Sequence, residues 1–430
     1  MKIGVINKWK DIPAIIVNEE VYRKFKVAVI RNGNNRFPAC IVASRHPDIH
    51  ARLDDNDILV TPKILEIAQI SDPLDLSDKL DIEFFSQGLF VYGTLLSSYV
   101  TPEGDIRRGW GGLEKYPKIR GICSSYALYY HELPYMIQEN NSESGVIGEI
   151  YLGVNANIER KIDNIELSAN YKITRTKAKI IENFPLIRKI DVKLYEYNGK
   201  PSGIALRTML FEEAYVVNKK MTYFQHDRFF SVLKGNSSII ITAPHGGYYC
   251  PLKMLSVENA ESDEETYALS REIITEIYWM SDQQVIPSAV LAKIHRSRVD
   301  LNSAIDYYNR RIAKEYHRMI ENIGSEQTEI LIDIHGMSAK EKYDIELGTN
   351  YGATVKNRED LLEEFRENLK KEGFSVVVDR KYTGGFTVRH HSQKDLIAIQ
   401  IEINKRLRMP WNYKETAKRI AKAIWKITSI

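Results

Sequence analysis

The sequence predicts a multidomain protein of mixed α/β and α+β class. It has a small β-rich N-terminal domain, then a mixed β domain, then a C-terminal α/β layered domain with a mainly parallel sheet. Three observations lead there. A chain of 430 residues exceeds one ordinary hydrophobic core, so two or three domains are expected. The first stretch reads as short strands separated by turns. From Ser237 onward strands and helices alternate, the pattern of a layered domain built on parallel strands. Boundaries are placed at residues 1–85, 86–215 and 230–430.

Composition is that of a globular protein, 43% hydrophobic and 27% charged. A net charge of +3 without a Lys/Arg block gives no reason to expect a nucleic-acid partner. Cys40, Cys123 and Cys250 lie far apart and form no CxxC pair, which argues against a disulfide framework or a structural zinc finger. No signal pattern and no membrane-length apolar run is evident, so a soluble, cytoplasmic protein without a membrane partner is expected. Oligomeric state is not legible.

In the first domain Ala14–Val17 and Val27–Ile30 are β-rich. The NGNN run at Asn32–Asn35 signals a hairpin, because Asn-Gly accepts positive φ cheaply. Phe37–Ala43 is the returning strand, and Ser71–Lys79 closes the domain. His46 and His50 stand in a polar loop with no third ligand-type residue near. The role of this domain is not legible.

In the second domain Leu89–Leu95 (LFVYGTL) is a strand that breaks at Gly93. A glycine turn after a strand exposes successive backbone N–H groups, which suits it to hold a carboxylate. Val146–Tyr151 is another strand, and Asn157–Ile165 has helical period. The YGTL loop at Tyr92–Leu95, the GEIY strand at Gly148–Tyr151 and the IDNIE pattern at Ile162–Glu166 together resemble the gamma-glutamylcyclotransferase (AIG2-like) family. The resemblance implies Glu166 as general base and Tyr92, Gly93, Thr94 and Leu95 as the substrate cradle. The reaction it implies is attack of an α-amine on its own γ-carbonyl, releasing 5-oxoproline. That attack is intramolecular, so it needs a base and a cradle and no metal. Leu167 stands where the family has glycine. Asp163 is read as a structural partner. Val216–Asn236 is read as a connector between domains, and His226 as structural.

The third domain carries three apolar runs that each end on a chemically capable side chain. Ile239–Gly247 (IIITAPHGG) ends at His245, Ile330–Met337 (ILIDIHGM) at Asp333 and His335, and Leu396–Asn404 (LIAIQIEIN) near Glu402. In open α/β sheets, sites form where strands end. Between them Asp263–Met280, Ser303–Ile323, Asn357–Lys371 and Tyr413–Trp425 read as helices. Gln284–Ala289 and Phe374–Val378 read as strands, and Lys381–His391 as a loop with two glycines. His390 and His391 are read as loop residues, and His295 and His317 as helix-associated or surface residues.

Seven motifs stand in order here: PHGG at Pro244–Gly247, DEETYAL at Asp263–Leu269, RSRVDLN at Arg296–Asn302, DIHGM at Asp333–Met337, DIELGT at Asp344–Thr349, YTGGFTVR at Tyr382–Arg389 and QIEIN at Gln400–Asn404. Together they resemble the N-formylglutamate amidohydrolase family, whose fold is similar to that of the zinc carboxypeptidases. The resemblance implies a metal site, with zinc as the expected ion. His245 and His335 are the imidazole ligands. Asp263 is the preferred third ligand, with Glu264 and Glu265 as rivals, since Tyr248 occupies the position where the carboxypeptidase pattern has glutamate. Asp333 either orients a ring or ligates. Glu402 is the expected general base. Arg298 and Arg389 suit a substrate carboxylate, Asn302 supports the same group, Arg296 polarises the scissile carbonyl, and Tyr382 reaches substrate from the glycine loop. Ser303 replaces an arginine common after DLN. The expected function is metal-dependent hydrolysis of an N-acyl-glutamate or gamma-glutamyl amide. Cyclotransfer at Glu166 and ligand binding without turnover are the alternatives.

Overall fold

The computed structural model describes the chain except residues 1, 34, 55–56, 140–144, 253, 255–259, 325–327, 395 and 429–430. It divides into two compact units, Met1–Ala214 and Tyr215–Ile430.

The first unit opens with a six-stranded mixed sheet. Its order is Lys2–Val5, Asp57–Val60, Ala14–Val17, Asn35–Ala43, Val27–Asn32 and Asp81–Phe85. The expected hairpin forms in register, with Asn32 opposite Asn35 and Gly33 at φ +57°; residue 34 of its turn lies outside the described residues. His46 is buried in this sheet's loops against the Trp9 ring. The sheet ends at Phe85, and a closed barrel begins at Gln87. Its strands run Lys118–Ser124, Gly145–Tyr151, Gln87–Val91, Lys189–Tyr197 and Tyr171–Ile180 around the ring. Alternating β-branched and aromatic residues fill a barrel this small, so its walls approach closely. A Cβ at Gly148 would lie 2.3 Å from the Val91 carbonyl oxygen. The helix Ala156–Ser168 turns Ile162 and Glu166 inward. Arg188 joins sheet to barrel by donating to the Tyr22, Phe25 and Ile41 carbonyl oxygens at 2.9, 3.1 and 3.3 Å.

The second unit is a three-layer α/β structure. Its eight-stranded sheet runs Gln225–His226, Phe230–Leu233, Ser288–Ala292, Ile239–Ala243, Ile330–Met337, Ile397–Asn404, Ile345–Gly348 and Val376–Val378. The third to sixth strands in this order are mutually parallel, as the alternation with helices requires. Ile239, Ile241, Ile330, Ile332, Ile399 and Ile401 pack on one face in a core with the helices Thr266–Met280, Glu359–Lys371 and Tyr413–Thr428. Ile240, Leu331 and Ala398 face the other way, toward the helix Arg311–Ile323. Each isoleucine or leucine among these contributes about 1.5–3 kcal/mol when removed from water.

Several elements differ from the sequence reading. The segment read as a connector supplies the last two strands at one end of this sheet, where Phe230 and Leu233 have buried partners. The expected Ser303–Ile323 helix is two helices, Ala304–Asn309 and Arg311–Ile323, broken at Arg310 by extended backbone (φ −122°, ψ 124°). The strand expected at Gln284–Ala289 lies at Ser288–Ala292. The Lys381–His391 loop ends in a helix, Phe386–Ser392.

Candidate active site

The site grows from one face of the parallel sheet. Along three neighbouring strands the apolar row Ile240, Leu331 and Ala398 is followed two residues later by Thr242, Asp333 and Gln400, which are paired in register. Two residues further, His335 pairs with Glu402. Because strand side chains alternate, all of these point to the same side. The face thus changes from apolar to ionisable toward the carboxyl ends of its strands.

Asp263 brings the centre together. It lies before the helix, which starts at Thr266 and not at Asp263, with Glu265 in the left-handed region (φ +63°). Its N–H donates to the His245 carbonyl oxygen at 2.9 Å, and its own carbonyl accepts the Thr266 hydroxyl at 2.7 Å. Its Oδ2 then sits 3.3 Å from His245 Nδ1 and 3.1 Å from His335 Nδ1, and it also accepts the Gly336 N–H at 3.1 Å. The two imidazole centroids are 4.8 Å apart. His245 Nδ1 is buried and makes no well-formed hydrogen bond.

Each ring is held from behind. His245 Nε2 is 2.8 Å from Asp300 Oδ1, and His335 Nε2 is 2.8 Å from Asp333 Oδ2. Asp333 in turn accepts the Thr242 hydroxyl at 2.6 Å. A carboxylate on the far nitrogen fixes the tautomer and turns the near lone pair inward. Two Nδ1 atoms and one carboxylate oxygen therefore converge within 4.8 Å. That donor set fits a divalent cation. Glu264 and Glu265 are turned elsewhere, Glu264 to Lys405 Nζ at 2.9 Å and Glu265 to the Tyr248 hydroxyl at 3.3 Å.

The electrostatics favour positive charge at this point. Burial alone would push the Asp263 carboxyl up, but His245 and His335 hold it well below the usual range. Burial opposes a charge on His335, yet Asp333, Asp263 and Glu402 raise its pKa well above the ordinary value. Burial also pushes the Glu402 carboxyl up to about 7, with His335 pulling it the other way. Gln400 Nε2 donates to Glu402 Oε1 at 2.8 Å and fixes the carboxylate in place.

The remaining expected residues fall into three groups. Arg296 is half-buried beside the centre, with Nε 3.1 Å from Asp300 Oδ2 and Nη1 3.7 Å from Asp263 Oδ1. Asn302 Nδ2 lies 3.3 Å from His335 Nε2, and its Oδ1 accepts the Thr387 N–H at 2.7 Å. Tyr382 is half-buried, its N–H donating to Glu346 Oε1 at 2.7 Å. Arg389 is exposed on the Phe386–Ser392 helix, with Nε donating to the Gly385 carbonyl at 3.2 Å. Arg298 is buried instead, donating to the Met254 carbonyl oxygen at 2.6 Å.

Sequence reasoning missed Asp300, Gln400 and Glu346. Asp300 stands inside the RSRVDLN motif, and Gln400 precedes Glu402 by one strand repeat, so both had a signal. Glu346 is fully buried and accepts the N–H groups of Arg380, Lys381 and Tyr382 at 2.5–2.7 Å. It holds the start of the glycine loop, a role only the fold discloses.

In the first unit a narrow pocket of about 10 Å³, the room of one water, is lined by Val91, Tyr92, Gly93, Thr94, Leu95, Pro134, Glu166, Tyr171 and Tyr195. Burial pushes the Glu166 carboxyl up to about 7. Leu167 points out to solvent. Pro134 lies close over the loop, its Cγ 2.5 Å from where a Cβ at Gly93 would be. Asp163 is engaged by Lys193 Nζ and the Tyr195 hydroxyl, both at 2.6 Å.

A family model described as FGase, N-formylglutamate amidohydrolase, matches residues 305–409. No curated protein matches the chain. Among solved structures, an N-formylglutamate amidohydrolase from Ralstonia eutropha JMP134 is similar at 14% identity. The match covers 47% of this chain and 98% of that one, at TM-score 0.39. A metallo-carboxypeptidase from Burkholderia cenocepacia is similar at 9% identity, over 71% of this chain and 81% of that one, at TM-score 0.32. An aig2-like protein from Mus musculus is similar at 20% identity, over 26% of this chain and 78% of that one, at TM-score 0.20. Among the described residues no helix is long and apolar enough to cross a membrane. The C-terminal half resembles the N-formylglutamate amidohydrolases, and the family match supports an amidohydrolase-like function.

Proposed function

We propose that the second unit is a metal-dependent amidohydrolase acting on an N-acyl-glutamate or gamma-glutamyl amide. The observation that carries this reading is the convergence of His245 Nδ1, His335 Nδ1 and Asp263 Oδ2, with each imidazole pinned by its own aspartate. Zinc is the expected ion, because two imidazoles and one carboxylate with a position left for water are a common catalytic set. When bound, such an ion acts as a Lewis acid and lowers the pKa of an attacking water to about 7.

The chain's own residues do the rest. Glu402, next to His335 in register, takes a proton from the attacking water and passes it to the leaving amine nitrogen. Burial in a polar wall gives this carboxyl a pKa near 7, suited to both halves of that transfer. Arg296 stabilises negative charge developing on the scissile carbonyl oxygen. Arg389 and Asn302 receive the substrate carboxylate, and Tyr382 closes over it from the loop that Glu346 anchors. The glutamyl substrate class is taken from the name of the matched family.

The first test is metal content of protein purified without added metal, beside a His245→Ala, His335→Ala variant. About one equivalent tied to these two histidines, together with release of glutamate from an N-acyl-glutamate panel, is the expected result. No metal uptake in the wild type, even after incubation with zinc, would sink the reading. Glu402→Gln should lower turnover by about 10²–10⁴ while metal stays bound. Unchanged turnover removes Glu402 from the mechanism.

A second reading is cyclotransfer at Glu166. It is favoured by a buried carboxyl with pKa near 7 beside the Tyr92–Leu95 loop. Release of 5-oxoproline that persists in chelator and disappears in Glu166→Gln supports it. Its absence leaves this pocket without turnover.

A further inference from the structure

Away from the candidate active site, three histidines meet between two helices of the second unit. His317 comes from Arg311–Ile323, and His390 and His391 from Phe386–Ser392. A ring nitrogen of each lies within 4.8 Å of the others. His317 and His391 are buried, and His390 is half-buried. We propose that His317, His390 and His391 form a second metal site, for a first-row divalent transition ion.

The geometry of the three rings carries this. His317 Nε2 lies 2.9 Å from the Leu301 carbonyl oxygen, which can only accept, so the ring's proton sits on Nε2. The Nδ1 lone pair is then directed at the cluster. A backbone carbonyl on the far nitrogen is the usual support of a ligating imidazole. His317 Nδ1 and His391 Nε2 are 3.0 Å apart. Two bonds of about 2.05 Å spanning that gap meet at about 95°, closer to the right angle of an octahedral or tetragonal ion than to a tetrahedral one.

A simple His391-to-His317 hydrogen bond accounts for that pair but not for the third ring. His390 Nε2 is buried and has no hydrogen-bond partner among the described residues. It lies 3.7 Å from Glu321 Oε1, too far for a hydrogen bond. Glu321, which also pairs with Lys394 at 2.5 Å, places a carboxylate at the more open side of the cluster. Tyr307 and Phe386 pack against the rings and hold them in place. An ion here would fasten the two helices together, next to the Leu301–Asn302 segment and just after Arg389.

The test is binding of nickel(II), as its chloride, to the untagged full chain after chelator stripping, read as equivalents retained through gel filtration. The His245→Ala, His335→Ala variant isolates the new site and is expected to retain about one equivalent. His390→Ala, His391→Gln is expected to retain one fewer than the wild type. His390→Ala alone, at the half-buried ring, provides the variant least disturbing to the fold, and circular dichroism of each metal-free protein confirms folding. A first variant that retains no nickel, or a His390/His391 variant that retains as much as the wild type, overturns the proposal. The active-site reading is judged separately, by whether the equivalent that the His390→Ala, His391→Gln protein retains is lost when His245→Ala and His335→Ala are added.

Discussion

At the residue scale, what separates the side chains of the candidate site from their neighbours is the environment of single atoms. His245, Asp263 and His335 would be unremarkable on a surface; their lone pairs converge because Asp300 and Asp333 hold the rings from behind. Arg298 and Arg296 stand two residues apart in one motif, yet one is buried on the Met254 carbonyl and the other borders the centre. Glu166 yields a prediction of its own. Its folded pKa is raised to about 7 by burial, while an unfolded glutamate titrates near 4.3. Below that value both states are protonated and no stability difference arises. As pH rises through this window the unfolded chain ionises first, so stability is lost until about pH 7. Glu166→Gln is therefore expected to raise stability at pH 8, by on the order of 3–4 kcal/mol at most, and to change it little at pH 4. Urea midpoints at the two values check this, and an equal effect at both would show that the carboxyl is not held neutral.

At the element scale, the site depends on where strands stop and loops are tied. Strand ends were legible, because an apolar run that closes on His or Glu marks both the strand and its exit. Helix starts were less so. Asp263 was placed on a helix that begins three residues later, since Glu265 takes a left-handed conformation that periodicity cannot disclose. The same holds at Arg310, where the apolar period runs on while the backbone breaks. The contact between the Phe386–Ser392 helix and Asn302 is the tightest junction near the site. A Cβ at Gly385 would lie 2.0 Å from Asn302 Nδ2. Gly385→Ala is expected to push the helix off Asn302 and break the Thr387 hydrogen bond. Turnover should fall by about 10–10², with a stability loss of about 1–3 kcal/mol. Steady-state kinetics and thermal melts of the variant check it, and wild-type turnover would show that Asn302 does not position substrate.

At the scale of the whole molecule, the chain is two compact units, and the metal reading concerns the second. A cation that binds only the folded second unit stabilises that unit by mass action. Calorimetry of the full chain is expected to show two transitions, of which added zinc raises one. A fragment spanning residues 215–430 should show the zinc-sensitive transition alone. A zinc-induced rise in both transitions equally would place the cation elsewhere. The six-stranded sheet ends at Phe85 and the barrel begins at Gln87, and both lie in one unit. Arg188, distant in sequence from Tyr22, Phe25 and Ile41, ties them through backbone carbonyls that no side-chain pattern encodes.

The layered α/β class of the C-terminal half, the hairpin and three of the six strands of the first sheet, and which apolar runs close on His, Asp or Glu were readable in the sequence. These follow from local periodicity and turn chemistry, which are written residue by residue. Which carboxylate faces the two imidazoles, which arginine is buried, and that His317 meets His390 and His391 emerge only in the folded chain. Those outcomes depend on strand register and helix packing, which join residues tens of positions apart and leave no trace in local pattern.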